Sequence, residues 1–294
     1  MVIMDTSIIG VALPELGADL GFEQADLSWV FNAYVIAFGG LLLLGGKLSD
    51  VFGARTLFLA GFAILTGASF VAGVADGPGL EIAARAGQGV GAALIAPTSL
   101  SMLMQLFGYD PKELTKALAL YGAAAPAGGT AGVFLGGVLT EWLSWPWVFY
   151  VNVPVGLAVL ALAPRWCPTG ARSRGRIDLA GAATITGSLS LLVYGIVRAP
   201  EVGWTDGEVV ATIGAGVALL AVFLGIQRLR RDPLMPLGVW RTPNLAAANA
   251  SMALLGAAWV PMWFFLNLYL QQVLGYGPFA TVIGSSAEPE PNGP

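Results

Sequence analysis

The sequence contains no histidine and a single cysteine, Cys167, among 294 residues. Zinc sites and thiol–histidine nucleophiles therefore have almost no ligands or bases to draw on, and an intrachain disulfide is impossible. Charge is also scarce: Asp, Glu, Lys and Arg make up 11% of the chain while apolar residues make up 56%. With a mean hydropathy of +0.74 there is too little polar surface to cover a water-soluble globule. A soluble protein with buried core helices is excluded further by run length, because such helices keep a polar stripe.

What fills the chain instead is a series of charge-free runs, each of the order of the ~20 residues that a helix needs to cross the hydrocarbon core. They lie between Asp26 and Lys47, Arg55 and Asp76, Arg85 and Asp110, Lys116 and Glu141, Glu141 and Arg165, Asp178 and Arg198, Glu208 and Arg228, and beyond Arg241. With the shorter apolar start before Glu15, roughly nine spans are expected. Of the 14 Lys and Arg, all but Arg85 and Arg198 fall on one side when the loops are numbered alternately. That asymmetry places the amino terminus and the basic loops, Arg172, Arg174, Arg176 and Arg228 to Arg231 among them, in the cytoplasm. Trp29, Trp142, Trp145, Trp147, Trp166, Trp204 and Trp240 stand at span ends, as an interfacial aromatic belt requires.

The organisation that follows is an all-α, polytopic membrane protein. Residues 1–164 hold six spans and 165–177 a basic cytoplasmic linker; 178–227 form a two-span hairpin. Residues 228–244 form a polar, proline-broken segment on the inner surface, 245–272 a further span, and 273–294 a tail disordered by composition.

Four segments carry chemistry. Asp5, in DTSIIGVALP, puts a carboxylate inside a span, where a charge costs roughly 2.5–3.5 kcal/mol on insertion scales. Such a group either binds and releases protons or, this close to Met1, caps the first helix at the interface. GGKLSDVFGARTLF supplies Gly46 and Gly53 for close approach and a tight turn, Asp50 as a cap for the next helix, and Arg55 as a partner for carboxylates or helix carbonyls. In LEIAARAGQGVGAALIAP, Arg85 enters an apolar helix with Gln88 on the same face, either lining a polar route or snorkelling to the outer interface. Gly87 and Gly91 form a small-xxx-small step. Gly128, Gly132 and Gly136 recur every four residues, with Gly137 adjacent, and mark a packing or hinge face.

Taken in order, these segments resemble the fourteen-span drug:proton antiporters of the major facilitator superfamily. Asp5 with Val11 to Pro14 matches the first-span signature; Gly46, Leu48, Asp50, Gly53 and Arg55 match the loop signature; Arg85, Gln88, Gly89 and Gly91 match R-x-x-Q-G-x-G. The fifth-span antiporter signature is matched by the four glycines, and W-x-W-x-F-x-x-N-x-P-x-G follows at Trp145, Trp147, Phe149, Asn152, Pro154 and Gly156. Gly10, where the family usually has Asn, and Val133, where it has Pro, depart from the pattern.

The resemblance implies a six-helix amino-terminal bundle, an inserted hairpin and the first helix of a carboxyl-terminal half in a multi-pass bacterial inner-membrane protein. It implies export of hydrophobic or cationic drugs, antibiotics among them, in exchange for protons. No cofactor beyond the proton gradient, no nucleic acid and no enzymatic chemistry are expected; partners are the lipid bilayer, the small-molecule substrate and protons. Asp5, Arg85, Gln88 and Asn152 would line the proton and substrate pathway. The family's extra residues ahead of its first-span Asp and its six carboxyl-terminal helices imply that both ends are cut short. The alternative is a truncated remnant that transports nothing; a membrane-embedded sensor or enzyme would want clustered acids, His or Cys, which the sequence does not show.

Overall fold

The computed structural model describes residues 1–23, 26–168, 178–230 and 233–269. They form ten α-helices and a 3-10 turn, with no strand among the described residues: α1 (Val2–Leu20), α2 (Leu27–Phe52), α3 (Ala54–Gly73), α4 (Pro78–Phe107), α5 (Pro111–Trp142), α6 (Trp147–Tyr150), α7 (Asn152–Trp166), α8 (Leu179–Val202), α9 (Gly207–Leu229), the turn Leu237–Arg241, and α10 (Leu245–Leu268). Seven spans are long and apolar enough to cross a bilayer: α2, α3, α4, α5, the nearly continuous α6–α7, α8 and α9. α1 has 19 residues but carries Asp5, Glu15 and Asp19. Arg172, Arg174, Arg176, Arg231, most of the basic linker and the tail at 273–294 lie outside the described residues.

The boundaries have local causes. Asp110, Asp178 and Asp206 cap α5, α8 and α9 by accepting backbone amides of Lys112, Gly181 and Glu208. Between α2 and α3 the chain turns at a single residue, Gly53, whose φ of 93° only glycine adopts without strain. α5 begins at Pro111, so Lys112 and Lys116, read as loop residues, sit in its first turns.

Within this chain α4 is the central post. It packs along α2 and α3, α1 packs along α5, and α7 lies against α3. Small residues let these backbones approach. A Cβ at Gly91 would lie 2.7 Å from the Gly61 carbonyl oxygen, and one at Gly61 would lie 2.8 Å from that of Gly91. On the α2 side a Cβ at Gly89 would collide with the Tyr34 carbonyl, and one at Gly45 with that of Ala93. The close approach expected at Gly46 is thus made by its neighbour; Gly46 itself has only the Pro97 ring in ordinary contact. Without water to squeeze helices together, such contact is what joins them.

The hairpin is attached sideways. α8 pairs with α9, Ser188 Oγ donating to the Gly216 carbonyl at 2.8 Å, and lies along α2, where Thr186 Oγ1 donates to the Gly40 carbonyl at 2.9 Å. At its base the buried carboxylate of Asp178 accepts from Gln227 Nε2 at 3.0 Å and stands 3.7 Å from Arg230 Nε.

Large apolar side chains, among them Phe31, Ile64, Phe70, Leu120, Leu157 and Met252, face outward, as a lipid-solvated surface does. Trp142, Trp147, Trp166 and Trp204 are exposed at helix ends. Trp145 departs from the belt: it is 3% exposed and its indole donates to Asp19 Oδ2 at 2.8 Å. The Trp240 side chain is outside the described set.

Two glycines separate packing from helix propensity. Gly89→Ala is expected to destabilise the chain by about 1–3 kcal/mol through overpacking, whereas Gly67→Ala, whose Cβ would meet nothing within 4 Å, leaves stability unchanged or raises it. Thermal unfolding of the two variants in detergent or nanodiscs reads the contrast, and equal losses would refute it.

Candidate functional site

Five helices deliver polar groups to one point inside the bundle. Asp5 comes from the first turns of α1, Ser69 from α3, Arg85 and Gln88 from α4, Asn152 from the first residue of α7, and α2 offers the Val30 carbonyl and the Tyr34 ring. Asp5, Ser69, Arg85, Gln88 and Asn152 are each 0% exposed.

The geometry is a network centred on the carboxylate. Arg85 Nη1 donates to Asp5 Oδ2 at 2.7 Å and to Gln88 Oε1 at 2.6 Å, and Arg85 Nε donates to the Val30 carbonyl at 2.8 Å. Asp5 Oδ1 accepts from Asn152 Nδ2 at 2.7 Å and from Gln88 Nε2 at 3.1 Å; Gln88 Nε2 also donates to Ser69 Oγ at 2.8 Å. The guanidinium carbon sits 4.8 Å from the Tyr34 ring centre and 6.0 Å from that of Phe149. A cation faced by an aromatic ring and a carboxylate is doubly compensated, which a fully buried guanidinium requires.

α1 is held in place by the glycine face of α5. A Cβ at Gly132 would lie 2.6 Å from the Met4 carbonyl oxygen, and one at Gly136 would lie 2.7 Å from that of Ile8. These contacts bracket Asp5, so the backbone that carries the carboxylate is seated directly on α5. A Cβ at Gly128, farther along the same face, would stand 3.6 Å from the Met4 nitrogen, whereas one at Gly137 would meet nothing within 4 Å. Three of the four glycines thus form the contact with α1.

The structure brings together all four residues read as lining the pathway, Asp5, Arg85, Gln88 and Asn152. The alternatives of an interfacial cap for Asp5 and a snorkelling Arg85 do not describe these positions, since both side chains are fully buried and bonded to each other. The loop set is apart from them, at the opposite end of α3. There Arg55 Nη1 donates to the carbonyls of Pro164 and Cys167 at 3.2 and 3.4 Å, at the end of α7. Asp50 is exposed, and the cap position of α3 is Gly53 with no side-chain hydrogen bond, so Asp50 does not cap that helix.

Sequence reasoning missed Ser69, Tyr34 and Glu81. Glu81 is 0% exposed at the start of α4, and neither of its carboxylate oxygens has a protein hydrogen-bond partner. Its signal was present: an acid four residues before Arg85 stands on the same helical face.

Comparison with known proteins agrees with this architecture. The family profile described as Major Facilitator Superfamily matches residues 1–287. The cephamycin export protein CmcT of Amycolatopsis lactamdurans is 45% identical over 97% of the chain, which covers 59% of that relative. The puromycin resistance protein pur8 of Streptomyces alboniger is 39% identical over 96% of the chain and 56% of its own length. The tetracenomycin C resistance and export protein of Streptomyces glaucescens is 34% identical over 95% of the chain and 52% of its own length. The chain therefore spans little more than half the length of these curated relatives. With a family match running almost end to end and a helical bundle of membrane-spanning length, the chain belongs to the major facilitator superfamily.

Proposed function

We propose that the chain acts in an efflux transporter that moves hydrophobic or cationic small molecules, antibiotics among them, out of the cell in exchange for protons. The observation that carries this reading is the fully buried Asp5, the only carboxylate hydrogen-bonded into a network shared by α1, α3, α4 and α7 among the described residues. An acid at that depth changes charge only by taking up or releasing a proton, and doing so rewires every helix bonded to it. The names of the relatives support the substrate class.

In this reading Asp5 carries the proton, and Arg85, Gln88 and Asn152 hold its carboxylate and report its charge to their helices. The α5 glycine face permits α1 to shift as the bundle rocks. Arg55 ties the starting end of α3 to the final turn of α7, latching the cytoplasmic face. Exchange draws on the membrane potential, about 2.3 kcal/mol per charge per 100 mV, and on the pH difference. A second reading takes its motive from the limited coverage of the relatives: the chain supplies the proton-binding bundle and transports nothing without further helices to close a substrate cavity.

Inverted vesicles carrying the chain are expected to take up a cationic dye when energised, and the Asp5→Asn variant to fall to the protonophore-treated background; undiminished uptake by that variant would sink the proton-carrier role. No uptake by the 294-residue chain, recovered on adding a relative's remaining helices, would select the second reading. The amino terminus and the basic loops are assigned to the cytoplasm by the positive-inside rule. In a Cys167→Ser background, Thr205→Cys is expected to react with a membrane-impermeant maleimide in intact cells and Tyr109→Cys only after permeabilisation. Reversed labelling would invert the topology.

A further inference from the structure

α4 carries a second acid into the bundle, one turn ahead of Arg85. Glu81 and Arg85 share a helical face, Glu81 is 0% exposed, and both its oxygens lack a protein partner. Arg85 has a matching surplus. Its Nε and Nη1 are engaged by Val30, Asp5 and Gln88, while Nη2 is buried with no partner.

The charges within reach are few. α1 contributes Asp5, α2 the phenol of Tyr34, α3 only the Ser69 hydroxyl, α4 Arg85 and Gln88, and α6–α7 Phe149 and Asn152. The charged residues of α5, at Lys112, Glu113, Lys116 and Glu141, are exposed. One buried guanidinium, paired with Asp5, thus stands against two buried carboxylates. With both ionised the cluster would hold an uncompensated negative charge away from water, and neutrality requires one proton on one of them.

The same count constrains the step proposed for Asp5, and this inference rests on that reading. Protonating Asp5 alone would strand Arg85 as an unpaired cation at membrane depth. We infer that Glu81 is a second proton-binding residue of the site: it holds the proton while Asp5 is paired with Arg85, and it receives Arg85 when the proton passes to Asp5. In that step the O–H bond of Glu81 breaks and one forms on Asp5. Glu81 becomes the carboxylate, Asp5 the neutral acid, and the guanidinium stays a cation whose ion pair moves one turn along α4. The cluster's net charge is zero before and after, so the proton moves inward without creating a buried charge. Glu81 stands closer to the α3–α4 turn than Arg85 does, which makes it the acid nearer the outer face under the proposed topology.

Infrared spectra of the purified 294-residue chain in lipid nanodiscs test this without transport. At neutral pH a protonated-carboxyl band is expected that shifts with heavy-carbon glutamate labelling and not with heavy-carbon aspartate. It should be lost in Glu81→Gln, retained in Glu81→Asp, and lost in Asp5→Asn, because removing one carboxylate frees Arg85 to ionise the other. No such band, a band that moves with aspartate labelling, or one that survives in Glu81→Gln or in Asp5→Asn would overturn the assignment. The labelling result stands on unaltered protein, so it decides even if a variant fails to fold. Dye uptake by the same variants separates the two ideas. Full uptake by Asp5→Asn removes the proton-carrier role and the transfer to Asp5 while the labelled band still decides whether Glu81 holds a proton, whereas lost uptake with a band persisting in Glu81→Gln removes Glu81 alone.

Discussion

A guanidinium buried in a bundle that sits in lipid must be compensated, and the arrangement around Arg85 follows from that requirement. Its cost falls on one carboxylate from α1, one side-chain amide a turn away, one backbone carbonyl of α2 and the face of an aromatic ring. Removing one member of such a buried pair costs roughly 3–5 kcal/mol in proteins generally, more than most single contacts contribute. The ion pair therefore ties α1 to α4 at the middle of the bundle.

The remaining cohesion is steric. Gly45, Gly61, Gly89 and Gly91 bring α2 and α3 against α4 backbone to backbone, while Gly132 and Gly136 do the same for α1 on α5. Close contact of this kind tolerates sliding better than interlocked large side chains, because it offers few knobs to unseat. The Asp5 network supplies directionality that the smooth glycine surfaces lack. Bonded through the first and seated on the second, α1 is fixed at its carboxylate and along its backbone at once.

Much of this was legible in one dimension because lipid imposes simple rules. Charge-free runs of fixed length located most of the spans, whereas the capping roles of Asp110, Asp178 and Asp206 show only in the structure. Asp5, Arg85 and Gln88 were identifiable because a polar group at membrane depth needs a reason to be there, whereas Asn152 stood out only through the family resemblance of the segment that holds it. Their mutual bonding was not legible, since residues 5, 85 and 152 meet only through tertiary packing. Glu81 escaped for the opposite reason: lying close to a loop, it read as part of the helix start. Trp145 was misread because a tryptophan at a helix end looks the same in sequence whether its indole faces headgroups or an acid such as Asp19. Gly46 and Gly137 show the resolution limit of glycine patterns, which name the face to within one position and leave the register to the neighbour.

The stitch between Thr186 and the Gly40 carbonyl has a mechanical corollary. A hydroxyl bonded to the middle of α2 leaves the α8–α9 hairpin no freedom to swing as an independent flap. Any tilt of α2 would be passed to both added helices, which enlarge the lipid-wetted flank of the body to which α2 belongs. The hairpin is thus an outrigger, widening the footprint of the bundle.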